Sequence, residues 1–177
     1  QYKVRMRTGD YQQTYPFSIE INPNLKGISK EDLDEQFKLA MQITQKTTAA
    51  NEAVIKIRDI KAKVEKATGK ISAKNQKKII APFLSKLSEI EEALYQVRNQ
   101  SGQDPLNFPI KLNNRLASLR RSLENGDARP TDGAYKVFAE LSTELELHLA
   151  NLNKVLKNDL TRMNRLIQEN TGTAMKP

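Results

Sequence analysis

The stretch TDGAYKVFAELSTELELHLANLNKVLKNDLTRMNRLIQE, residues 131–169, decides the fold. Phe138, Leu141, Leu145, Leu149, Leu152, Leu156, Leu160, Met163 and Ile167 recur at spacings of three and four. That is the period of an α-helix with one buried stripe. Thr131, after Pro130, stands where a helix cap is wanted. A long helix with a single apolar stripe must bury it against other helices.

Three more helices are expected upstream. The first spans residues 29–68, with Ser29 and Asp32 placed as a capping box and Gly69 as the stop. Its apolar stripe reads Leu33, Phe37, Ala40, Val54, Ile57 and Val64, with Thr44, Thr47 and Asn51 on the same face. The second spans residues 73–99, with Ile79, Phe83, Leu87, Ile90, Leu94 and Val97 inward and a kink expected at Pro82. The third spans residues 107–125, capped by Asn107, with Phe108, Leu112, Leu116, Leu119 and Leu123 inward. Residues 1–21 alternate instead. Tyr2, Val4 and Met6, then Tyr15, Phe17, Ile19 and Ile21, read as two strands around a turn at Gly9.

These elements predict a mainly α fold: an antiparallel four-helix bundle, two helices long and two shorter, preceded by a short β-hairpin. The unit boundaries are 1–24 for the β segment, 25–170 for the bundle and 171–177 for a disordered tail. At ~1.5 Å per residue the long helices measure about 57–60 Å, the others about 40 and 28 Å. Reversal at every connection would bring the start of the first helix and the end of the fourth together. They would overhang the shorter pair there, and the hairpin could cover the overhang.

Composition narrows the chemistry. The chain has 177 residues, 38% hydrophobic and 28% charged, with no Cys and no Trp. Disulfides and thiolate metal sites are therefore excluded. No apolar run approaches the ~20 residues of a membrane span. The net charge is +8, which invites a nucleic-acid reading. Acids interleave with the cations along the chain, as in Lys56, Arg58, Asp59, Lys61, Lys63, Glu65 and Lys66. The expectation is a solvated charged surface, and nucleic acid is not expected as a partner. The chain begins at Gln1 and not at Met, which reads as a piece of a longer precursor.

No catalytic, metal or cofactor site is expected. His148 is the only histidine, too few for a triad or a His-rich metal centre. Glu89, Glu91 and Glu92 form the densest carboxylate cluster, read as surface charge. Thr44, Thr47, Asn51, Asn113 and Asn114 are candidates for a polar layer inside the bundle, or for a small-ligand pocket. The connection at residues 99–109 carries Gly102, Pro105 and Pro109 with apolar Leu106 and Phe108. It reads as an Ω-like structural link with Phe108 anchored in the bundle. The competing reading makes Ser101, Gly102, Asp104, Leu106, Asn107 and Phe108 a binding loop.

Residues 91–116, EEALYQVRNQSGQDPLNFPIKLNNRL, resemble the C-terminal region of large bacterial proteins with a sortilin-like β-propeller and BNR-type repeats, often labelled glycosyl hydrolases. The β segment, residues 51–57 and residues 127–138 fit the same resemblance, which spans most of the chain. It implies a signal peptide, a propeller, a β-sandwich ending in strands like residues 2–21, and then helices. It implies a secreted, periplasmic or cell-envelope location. The expected function is a non-catalytic accessory domain that packs on, spaces or docks the propeller. Its partners would be the upstream sandwich and propeller, or another protein. The resemblance carries no catalytic residue to this chain and leaves the parent's own activity open. The alternative function is an anion-binding module for acidic glycan, an envelope surface or nucleic acid.

Overall fold

A computed structural model describes residues 1–69 and 71–171. The chain forms a hairpin, β1 (Tyr2–Thr8) and β2 (Tyr11–Phe17), then four helices, and 68% of the described residues are helical. α1 is Lys30–Thr68. α2, residues 73–94, joins Ala73–Asn75 to Ala81–Leu94 through a π turn, Gln76–Ile80. α3 is Leu112–Leu123. α4, residues 132–171, joins Asp132–Val155 to Thr161–Thr171 through a second π turn, Leu156–Leu160. The rest of the expected tail, 172–177, lies outside the described residues.

The helix starts follow local chemistry. Ser29 and Asp32 exchange hydrogen bonds as a complete capping box. The Ser29 amide and then its hydroxyl, both donating to the Asp32 carboxylate, hold that carboxyl below its ordinary pKa. The Thr131 hydroxyl accepts from the Ala134 amide. The interruption expected at Pro82 takes the form of the π turn just ahead of it. The Ala81 amide bonds back to the Gln76 carbonyl, five residues away. This wider turn accommodates a proline ring that would otherwise press on the carbonyl four residues back.

Two helices are shorter than expected. α2 ends at Leu94, not Asn99, because Tyr95 turns to extended backbone. Val97 is exposed, not in the stripe. α3 starts at Leu112, with Lys111 at its cap position, so Asn107 caps nothing there. On α1 the buried seam runs through Leu39, Ile43, Ala50, Val54, Ile57, Ile60 and Val64. Of the expected stripe, Ala40, Val54, Ile57 and Val64 are buried and Leu33 is half-buried; Phe37 is the exception, 68% exposed.

Cross-helix contacts set the directions. Arg129, just before α4, meets Glu35 near the start of α1 at 3.0 Å. Lys46 pairs with Glu146. Further along, Lys61 reaches Ser88 on α2, and Lys86 on α2 reaches Asp159 at 2.7 Å. α1 and α4 therefore run parallel. α2 runs against α1, from Gln76 beside Thr68 to Glu91 beside Arg58. α3 continues in the same direction, from Asn113 beside Asn51 to Leu123 beside Gln36. The expected alternation of four antiparallel helices is thus replaced by three columns: α1 up, α2 and α3 in tandem down, α4 up. The reason is the connection at residues 95–111, which does not reverse the chain. Its neck is closed by Gln96, buried, which donates to the Pro109 carbonyl at 2.9 Å.

The core is one cluster along these columns, including Ile57, Phe83, Leu87, Leu94, Leu112, Leu116, Leu145 and Met163. The hairpin takes no part. All its residues are exposed except Gln13, which is half-buried, so it does not cover the bundle end as expected.

Candidate functional site

The connection at residues 95–111 is built from its own polar atoms. The Asp104 carboxylate accepts from the Gln100 and Ser101 amides and from the Ser101 hydroxyl. The two amides hold its pKa below the ordinary aspartate value. The Asn107 and Phe108 amides bond back to the Asp104 carbonyl at 2.9 Å, closing a short 3₁₀ turn, Asp104–Leu106. Ser101, Gly102 and Asn107 are exposed, and Leu106 is 84% exposed. Phe108 is half-buried and lies outside the core cluster. Its ring is faced by the Arg98 guanidinium at 5.8 Å. The expectation that Phe108 anchors in the bundle is corrected: without a helix at residues 107–111, nothing aims its ring at the core.

The five polar-layer residues do not meet as one group. The Asn113 amide donates to Asn51 Oδ1 at 3.1 Å, and Asn113 Oδ1 accepts from the Asn114 amide. Thr44 and Thr47 instead donate to the Ala40 and Ile43 carbonyls of their own helix. Both threonines line an open cleft of about 440 Å³ with Thr48, Ala117, Arg120, Arg121, Glu124 and Asn125. Arg120 is held by Glu124 within its helix. The threonine protons and one guanidinium are thus already committed, and few groups remain to fix a small ligand.

Glu91 is the residue the sequence reading misplaced. It is not surface charge. It is 4% exposed and meets Arg58 at 2.6 Å and Lys61 at 2.9 Å. Lys61 also bonds Ser88, and Arg58 stacks 4.8 Å over the Tyr95 ring. Burial pushes the Glu91 pKa up, but the hydrogen bonds and charges of Arg58 and Lys61 outweigh it, and the net shift is down. The group is an ionised structural lock. A signal was present: Glu91 lies four residues after Leu87 and three before Leu94, on the apolar stripe. His148 is half-buried on α4. Among the described residues, no three His, Asp or Glu side chains lie close enough to hold a metal ion. No helix there is long and apolar enough to cross a membrane.

The hairpin presents an uncovered apolar face. Tyr2 pairs with Phe17, Val4 with Tyr15, Met6 with Gln13 and Thr8 with Tyr11. Alternation puts all these on one face. Lys3, Arg5 and Arg7, paired with Pro16, Thr14 and Gln12, form the other. Gly9 has φ +54° at the first position of the two-residue turn, which suits a tight hairpin. Tyr2, Val4, Met6, Tyr11, Tyr15 and Phe17 are each 45–57% exposed. The Tyr2 and Phe17 rings stack at 5.6 Å. Among the described residues the sheet has only these two strands, so both outer edges are open.

Comparison with protein-family models, with curated proteins and with solved structures finds no match for this chain.

Proposed function

We propose that this chain is a non-catalytic accessory domain, the helical C-terminal region of a larger secreted or cell-envelope protein of the sortilin-like propeller type. The hairpin supplies the last strands of a β-sandwich upstream of the helices, and the bundle packs on, spaces or docks the propeller. Any glycan-related activity belongs to the parent's propeller.

The observation that supports this reading is the amphipathic hairpin with an uncovered aromatic face. A lone two-stranded ribbon is marginal in water. A contiguous apolar patch of this kind marks a surface made to be covered. A facing sheet would bury Tyr2, Val4, Tyr15 and Phe17, and neighbouring strands would pair the open edges. Glu91 supports the non-catalytic part, since its carboxylate is spent on Arg58 and Lys61.

Hydrogen exchange tests the proposal. In the chain alone, the amides of Tyr2–Thr8 and Tyr11–Phe17 should exchange freely. In the full-length parent they should be strongly protected, while α1 to α4 change little. Equal, fast exchange in both would refute the sandwich role. Hydrolysis of a glycan by the purified chain, lost on one substitution, would refute the non-catalytic role.

A further inference from the structure

The parallel course of α1 and α4 has an electrostatic consequence that the linear sequence hides. The end of α1, the start of α2 and the end of α4 lie at one end of the molecule. Lys66 on α1, Lys74, Lys77 and Lys78 on α2, and Arg162 and Arg165 on α4 are all exposed there. None of the six makes an ion pair among the described residues. The exposed acids at that end are Glu65 and Glu169. At the other end, the seven acids Glu31, Asp32, Asp34, Glu35, Glu124, Asp127 and Asp132 are matched by as many cations, with Lys30, Arg120 and Arg129 in ion pairs. The bundle therefore has one balanced end and one basic tip.

We infer that this basic tip is a docking surface for an anionic lipid surface. Three features favour a plane over a strand. The cations come from three separate helix ends, so they ring a blunt tip and do not file along a groove. Most are Lys, which offers a point charge without the planar fork that orients single phosphates. No large apolar side chain of residues 56–94 or 152–171 is among the exposed ones, and Phe83 is buried. Among the described residues, the tip therefore lacks the aromatic platforms on which a single-stranded nucleic acid stacks. Nor do those residues offer an exposed face of large apolar side chains that would insert into acyl chains. What remains is peripheral attraction through charge, screened within about 10 Å at 0.1 M salt. Acid and base alternate along the chain, but the fold gathers unpaired cations from three helix ends at this tip. The inference does not depend on the propeller reading.

Co-sedimentation with vesicles of phosphatidylcholine, with and without phosphatidylglycerol, tests it. The chain should bind only the mixed vesicles, and binding should fall as salt rises. Each basic residue near such a surface contributes roughly fivefold, so Lys74→Gln/Lys77→Gln/Lys78→Gln should weaken binding about 100-fold. A charge-matched control, Lys26→Gln/Lys38→Gln/Lys136→Gln, removes exposed cations far from the tip and should bind like the wild type. All six sites are exposed, and circular dichroism verifies folding. Equal weakening by the two triple variants would show attraction by net charge alone and overturn the inference. So would binding to pure phosphatidylcholine, or tighter binding to duplex DNA or to a soluble acidic polysaccharide.

Discussion

Glu91 shows how one buried charge ties two columns of the bundle. Arg58 and Lys61 come from α1, and Glu91 from α2. Removing one member of a buried pair strands the others, at a cost of about 3–5 kcal/mol. The Arg58 side chain is 51% exposed and partly hydrated, so Glu91→Ala should fall near the lower end, ~3 kcal/mol by urea denaturation. The pH dependence has a fixed sign. The folded pKa lies below the ordinary 4.5, so the contribution is complete above 4.5 and disappears as pH falls through the folded value. The stability gap between wild type and Glu91→Gln should shrink in that acidic window. A gap independent of pH would mean that Glu91 is not ionised in the fold. Phe108 and Phe83 make a second residue-scale comparison. Phe83 is 3% exposed in the core, and Phe83→Ala should cost about 3–5 kcal/mol. Phe108 has mainly its contact with Arg98, so Phe108→Ala should cost only about 1 kcal/mol, the scale of a cation–π contact. Equal losses in thermal melts would put Phe108 back in the core.

Among the elements, legibility followed how local the cause was. The start of α1 was readable because Ser29 and Asp32 are enough to cap it. The α4 stripe was readable because every residue named in it is buried or half-buried. The two ends flanking the 95–111 connection were not readable. Val97 continued the spacing of three from Leu94, yet Tyr95 had already left the helix. Pro109 fitted a first turn, yet Asp104 had already captured the Asn107 and Phe108 amides. The glutamines were silent for a different reason: their partners are distant carbonyls. Gln36 donates to Leu123 and Gly126, Gln76 to Thr68 and Ile71, and Gln96 to Pro109. Each closes a connection between helices, and no spacing in the sequence announces it. Gln96→Ala should cost about 1–3 kcal/mol, because it leaves a carbonyl unpaired where the amide was buried. Hydrogen exchange should rise selectively at the amides of Ser101, Asp104, Asn107 and Phe108. If protection there is unchanged, Gln96 is not what closes the neck.

For the whole molecule, periodicity gives the faces of helices but not their directions. The expected α2 and α3, about 40 and 28 Å, are together too long to share one column beside α1. The observed pair, about 33 and 18 Å, matches the ~58 Å of α1 once the connection is added. Two overextended helix ends thus concealed the tandem arrangement, and with it the parallel course of α1 and α4. The hairpin's exposed face stayed hidden because alternation shows that a strand has two faces, not what covers them. The absence of native cysteine makes the helix directions directly testable. Glu35 and Arg129 are in contact at 3.0 Å. In the alternating arrangement they would sit at opposite ends, about 50 Å or more apart. Glu35→Cys/Arg129→Cys should therefore be joined within the monomer by a short bifunctional thiol reagent. Glu35→Cys/Glu169→Cys, which only the alternating arrangement brings together, should not. Mass spectrometry of the cross-linked peptides distinguishes the two. A link from residue 35 to residue 169 but not to 129 would reverse α4, and it would disperse the basic tip that depends on its direction.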